Sequence, residues 1–230
     1  MSKMSPGHSS PAEGIIKHEV RYRQSADQPC TQGARDDGVW QGGPMSGKGR
    51  CVAADGYGYD GDWHAGKAHG SGREEWPDGT VYQGGFREGV RHGTGKVNFI
   101  DGSCFKGGFQ CGDANGEGTF IWADGSVFDG QIKSNLMHGP GKIEFSDGKK
   151  YVGSFKDDLK HGHGIYIWSD GSRYEGDWQF GKQHGFGHYI DIHGNRRAGE
   201  WLFGKRAKWT DEDLILDNSS MKSTKTSCVY

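Results

Sequence analysis

Tyr59, Tyr82, Phe105, Phe128, Tyr151 and Tyr174 follow one another at a constant interval of 23 residues. The aromatic four positions later keeps the same interval: Trp40, Trp63, Phe86, Phe109, Phe155, Trp178 and Trp201, with Ile132 as the one substitute. Five columns of glycine share the register and absorb most of the 42 glycines, among them Gly61, Gly84, Gly107, Gly130, Gly153 and Gly176. A fixed period of this length, free of insertions over seven units, restricts the chain to a repeat architecture. Only 32% of residues are hydrophobic while 12% are aromatic, so burial must come largely from rings.

Within one unit, Tyr174, Gly176 and Trp178 alternate with Glu175 and Asp177, the period of a strand with its aromatics on one face. Gly181 then marks a turn. Its column accepts only Asn135 and Asp158 in place of glycine, two residues that tolerate positive φ. A second strand carries Gly185, Gly187 and Tyr189, and Asp-Gly follows in six of the seven units as a hairpin signal. Each unit is therefore a β-hairpin, and the units join into an antiparallel meander. Glycines at i and i+2 leave a bare strip of backbone on which rings can lie. Pro140 removes one backbone donor, and local loosening is expected there.

YEGDWQFGKQHGFG and YDGDWHAGKAHGSG resemble the MORN repeat, over about residues 36–209. The resemblance implies an all-β, elongated hairpin solenoid that serves as a non-catalytic scaffold. It implies work at cytoskeletal, ciliary or cell-cortex structures. Some members carry lipid kinase or methyltransferase domains, for which this chain has no residues left over. The outer units depart from the pattern, with Asp36 for Tyr, Ser46 for His, and Lys208 where a glycine is due, so the unit from 197 is expected to stop after one strand.

The chemical motifs dissolve into the register. Gly176–Gly181–Lys182 imitates a phosphate loop, but the Ser or Thr that would hold Mg²⁺ is missing and the loop joins strand to strand. His69, His92, His138, His161 and His184 form a column whose members lie roughly 10 Å apart by strand spacing, too far for one ion. They read as turn-adjacent positions that bond the next hairpin. No Ser, His and Asp constellation is unique, so neither catalytic residue, metal nor cofactor is expected. Trp63, Tyr82, Phe86, Phe105, Phe109, Phe128, Tyr151, Phe155, Tyr174, Trp178 and Trp201 form the structural ladder, of which one face is a candidate protein-binding groove.

A net charge of −2 gives no general attraction to nucleic acid or anionic lipid. The local exception is Lys182, Arg196, Arg197, Lys205, Arg206 and Lys208, opposed within that stretch only by Asp191 and Glu200, a candidate contact for an anionic phospholipid headgroup. Residues 1–35 read as a disordered segment, with HEVRYR (18–23) as a candidate edge strand. Residues 210–217 read as a short capping helix starting at Thr210, and 218–230 as a flexible tail. An imperfectly capped end allows homodimerisation through the array end. The five cysteines read as free thiols of a reducing cytoplasm, and the N-terminus lacks the apolar core of a secretory signal. The expectation is a cytoplasmic scaffold that binds protein at the cytoskeleton or cortex. A phospholipid adaptor, or a regulatory subunit of an enzyme on another chain, is the alternative.

Overall fold

A computed structural model describes residues 35–36 and 44–210. All regular structure in them is β: β1 (Arg35–Asp36), β2 (Gly47–Val52), β3 (Gly58–His64), β4 (Lys67–Glu75), β5 (Val81–Arg87), β6 (Val90–Asn98), β7 (Cys104–Gln110), β8 (Asp113–Ile121), β9 (Val127–Lys133), β10 (Leu136–Glu144), β11 (Lys150–Lys156), β12 (Leu159–Ile167), β13 (Arg173–Gln179), β14 (Lys182–Ile190), β15 (Arg196–Leu202) and β16 (Lys205–Trp209). Contacts divide the chain into two compact units. The first comprises the residues up to Ser146 with Phe155–Leu159, the second Asp147–Ser154 with the residues from Lys160 on. In each unit the strands pair antiparallel in chain order.

No helix occurs among the described residues. The segment 1–35 apart from Arg35, the 18–23 strand, the tail 218–230 and all of the 210–217 helix beyond Thr210 lie outside them. Of the segment read as a helix only Thr210 is described, and its amide donates to the Ala198 carbonyl at 2.9 Å and prolongs strand pairing.

The hairpin inside each repeat turns on two residues that both have positive φ, for example Ala65 at 48° and Gly66 at 78°, the signature of a type I′ turn. Asn135 (66°) and Asp158 (69°) take the glycine's place at little cost and use their side chains as well. Asn135 Oδ1 accepts from the Ala114 amide at 2.7 Å, and Asp158 Oδ1 from the Met137 amide at 2.8 Å. The second turn amide of each hairpin donates to the preceding repeat, as Gly89 does to the Ala68 carbonyl at 2.9 Å, so turns stack on turns.

The Asp-Gly signal specifies a different turn from a two-residue hairpin. Gly79 donates to the Trp76 carbonyl and Trp76 to the Thr80 carbonyl, both at 2.9 Å, with Gly79 at φ 91°. This is a three-residue loop in which a type I turn ends in a bulged glycine. Asp78 Oδ1 accepts the Thr80 amide at 2.8 Å, and Asp101, Asp124, Asp147 and Asp170 do the same for the residue two places on. Where His193 replaces that aspartate, Asp191 takes over and accepts the amides of His193 and Asn195, both at 2.9 Å.

The rings pack edge to face. Tyr59 meets Trp63 at 4.9 Å and Phe86 at 5.0 Å, and Tyr82 meets Phe86 at 5.2 Å and Phe109 at 5.0 Å. In the second unit Trp178 lies between Tyr151 (5.2 Å) and Tyr174 (5.5 Å), and Tyr174 continues to Trp201 at 4.8 Å. Each Tyr or Phe lies across a pair of facing glycines. A Cβ on Gly95 would stand 2.4 Å from Tyr82 Cε2, which is why that pair must be glycine.

Two positions depart from the regular repeat in sequence. Pro140 causes no departure from the repeat register: toward β9 the ladder of β10 passes from Met137 to Gly141, so no amide of Pro140 is needed on that side. The unit from 197 does not stop after one strand, since β15 pairs with β16. Lys208 stands where Gly185 has φ 67°, and an L-residue resists that conformation. The bulge is accordingly smaller, and Gly199 pairs with Trp209 where the repeat pattern, as in Gly176 with Gly187, would place Thr210. The thiol reading is corrected at one place. Cys104 and Cys111 are free, but Cys51 is disulfide-bonded.

Candidate functional site

The ladder is core. Tyr82, Phe128, Tyr151 and Tyr174 are fully buried, and Trp63, Phe86, Phe105, Phe109, Phe155, Trp178 and Trp201 are at most 7% exposed. These rings offer a partner no groove. The surface that stands out lies on the second unit, where Phe180 (61% exposed), Phe186 (63%), Leu202 (56%) and Phe203 (51%) project from β14, β15 and their turns.

Register brings three of these together. Gly185 pairs with Trp201 and Phe186 with Glu200, which places Leu202 diagonally across from Phe186 on the face opposite the ladder. Phe203 follows directly, and its ring lies 4.9 Å from that of His184. Phe180 holds the equivalent turn position one repeat earlier, beside His161. Both turn phenylalanines have positive φ, 50° and 48°. A bulky residue in that region is strained, and neither ring gains core burial in return. Earlier repeats put Ala65, Glu88, Cys111, Ser134 and Asp157 there. A similar switch occurs in two other columns: Phe186 follows Ser71, Thr94, Glu117, Pro140 and His163, and Leu202 follows His64, Arg87, Gln110, Lys133, Lys156 and Gln179. That change from small or polar to large apolar side chains at exposed columns was a readable signal in the sequence.

The six cations are not one patch. Arg197 and Arg206 lie on the aromatic side, stacked on Trp209 with guanidinium carbons 4.1 and 4.2 Å from the ring centroid. Lys208 Nζ binds Glu200 Oε1 at 3.1 Å. Arg196 alternates with Arg197 and so belongs to the opposite face, and Lys205, paired with Leu202, lies there too. Lys182 packs against the 203–204 turn, its Cβ 3.7 Å from where a Cβ on Gly204 would be. Lys182 and Lys205 thus rim Leu202 and Phe203.

The histidine column meets the first turn residue of the next repeat. Its two substitutes show the role directly: Ser46 Oγ accepts the Ala65 amide at 3.2 Å, and Asn115 Oδ1 the Ser134 amide at 3.0 Å. His69 Nδ1 lies 3.8 Å from Glu88 and His138 Nδ1 3.4 Å from Asp157. Among the described residues no cluster of three or more His, Cys, Asp or Glu could hold a metal ion.

Two polar groups sit unexpectedly in the ladder face. In the first unit, Tyr57 Oη donates to Glu74 Oε1 at 2.6 Å, and Arg91 Nε is 4.0 Å from Glu74 Oε2 with its guanidinium over Trp76, Tyr82 and Phe109. Burial raises the Glu74 carboxyl, opposed by the Arg91 charge and by the Tyr57 hydrogen bond. In the second, Lys160 Nζ lies 4.9, 5.1 and 5.6 Å from the rings of Tyr166, Trp178 and Tyr151. Burial lowers its ammonium to about 8.

Between pH 8 and 10 the unfolded chain keeps the Lys160 proton and the folded chain has released it, so stability rises with pH in that window. A gain of about 1–3 kcal/mol is expected by the same linkage. Above it the buried tyrosines, raised by burial, reverse the slope. Urea unfolding at pH 7.5, 8.5 and 9.5 should show the rise in the native chain and none in Lys160→Met.

Tandem hairpins with a buried ring ladder define a β-repeat protein, and a local apolar surface marks its second unit. The MORN repeat model matches residues 37–56, 59–81, 82–104, 105–127, 128–150, 151–173 and 174–196, and the chain belongs to the MORN repeat family. No curated protein matches it. Among solved structures it is similar to the SAS-4 (dCPAP) TCP domain of Drosophila melanogaster in complex with a proline-rich motif of Ana2 (dSTIL), at 10% identity and a TM-score of 0.45, over 88% of this chain and 99% of that one. It is also similar to the wild-type TCP10 domain of Danio rerio CPAP, at 15% identity and a TM-score of 0.36, over 71% of this chain and 83% of that one. Likenesses at these scores carry no argument about function.

Proposed function

We propose that the chain is a non-catalytic scaffold that binds protein through the Phe180, Phe186, Leu202 and Phe203 surface, at a cytoskeletal, ciliary or cortical structure. The observation that supports this reading is the strain at Phe180 and Phe203. Large apolar side chains held in an unfavourable backbone conformation and left exposed gain nothing for the fold. A phospholipid adaptor is the second reading, favoured by Lys182 and Lys205 at the rim of the same surface.

Detergent fractionation of cells carrying a tagged full chain separates the two. Retention in the insoluble pellet is the expected result. Release from membranes into the detergent supernatant would transfer the surface to lipid.

A further inference from the structure

We infer that the first unit carries a second binding site, on the sheet face opposite the ladder. Its ligand is an extended segment of a partner protein with an acidic side chain and, three or four residues away, a basic one. A trough of about 890 Å³ crosses β5 to β9 on that face. Four exposed charged side chains line it, Lys96 and Lys106 toward one end and Glu117 and Asp129 toward the other. Gly107 and Gly118 line it with bare backbone. No residue of the second unit's apolar surface takes part.

The signal is a cross-strand pair that works against the fold. Lys96 stands directly opposite Lys106. The pairs at the same place in neighbouring repeats are Arg50 with Asp60, Arg73 with Gln83 and Thr119 with Asp129, none of them like-charged. Like charges directly opposite each other destabilise a sheet. Among the described residues neither lysine has an ion-pair partner to offset this. Asp129 accepts a hydrogen bond from the Thr119 hydroxyl at 3.3 Å and not from a lysine.

Charge complementarity selects the occupant. A carboxylate placed between Lys96 and Lys106 supplies the counter-ion that the fold omits. A ligand that is anionic throughout, such as a membrane surface or a nucleic-acid backbone, would set its further charges against Glu117 and Asp129. By strand spacing the midpoint of the two lysines is about 12 Å from Asp129, which an extended chain covers in three or four residues. The trough spans four strand spacings, about 19 Å, or six extended residues. A polypeptide running across the strands thus sets its acidic side chain on the lysines and its basic one on the carboxylates.

The test is panning of a displayed library of random twelve-residue peptides on the full chain, with counter-selection on Lys96→Gln/Lys106→Gln. Enriched peptides are expected to share an acidic residue and a basic one three or four places away. Cys104, a free thiol lining the trough two residues before Lys106, reports occupancy. The synthesised peptides should slow its alkylation by iodoacetamide at least fivefold, leave the exposed thiol of Cys111 unchanged, and lose the effect in the lysine variant and in Glu117→Gln/Asp129→Asn. The lysine variant should have a urea midpoint no lower than that of the native chain, and a lower one would assign the lysines to the fold and overturn the proposal. So would a panning without enrichment, enriched peptides that are acidic throughout, or protection of Cys104 that survives either double substitution. Equal protection of Cys104 by phosphatidylserine vesicles would assign the trough to a membrane and overturn it as well.

Discussion

Gly84→Ala is expected to cost about 4 kcal/mol and to unfold the first unit near physiological temperature, although it adds a single methyl group. That methyl would stand 2.5 Å from Gly95 Cα, 2.7 Å from the Thr94 carbonyl oxygen and 2.4 Å from Tyr82 Oη. Two of the three obstacles are backbone of the paired strand, so nothing can rotate away. Tyr82 is fully buried, and its hydroxyl donates to the Gly85 carbonyl at 2.9 Å, so the ring cannot retreat either. The comparison is Gly102→Ala, where a Cβ meets nothing within 4 Å but φ is 87°. That change loses only the conformational term, about 1–2 kcal/mol. Urea titration of both variants separates the two uses of glycine. Equal costs would mean that the strip under the rings is not sterically closed.

Trp178→Ala carries the second large effect, about 3–5 kcal/mol. The ring is 6% exposed, packs edge to face on Tyr151 and Tyr174, and donates from Nε1 to the Gly164 carbonyl at 3.1 Å. Its removal opens a cavity, leaves that carbonyl without its indole donor and strips one wall from the Lys160 cage. Trp178→Phe keeps most of the volume and loses the hydrogen bond, for about 1 kcal/mol from that bond. A loss under 1 kcal/mol for the alanine variant in chemical unfolding would contradict the placement of this ring in the core.

Much of the fold was legible because the period repeats the same experiment seven times. Any column tolerating only Gly, Asn and Asp must be a positive-φ turn, and the structure finds that turn at residues 135 and 158. The ladder was legible for the same reason. What escaped was whatever one repeat does alone. Glu74 stands in a column otherwise held by Cys51, Val97, Phe120, Ile143, Tyr166 and Tyr189, and its pairing with Arg91 and Tyr57 crosses repeats in three different columns. Lys160 replaces Ala114 and Met137, and only the packing shows the ring cage that accepts an ammonium. The basic cluster looked continuous along the chain, but strand alternation divides it between two faces and Trp209 takes two of its members. The exposed phenylalanines were visible as letters. Their meaning depended on knowing that their columns point outward.

The most direct measurement of the central claim is detergent fractionation of the full chain carrying Phe180→Ser, Phe186→Ser, Leu202→Ser and Phe203→Ser together. All four side chains are exposed, so the variant should unfold within about 1 kcal/mol of the native chain. Its share of the insoluble pellet should nevertheless fall to that of a freely soluble control. A variant that is equally stable and equally retained would show that the chain meets its partner elsewhere.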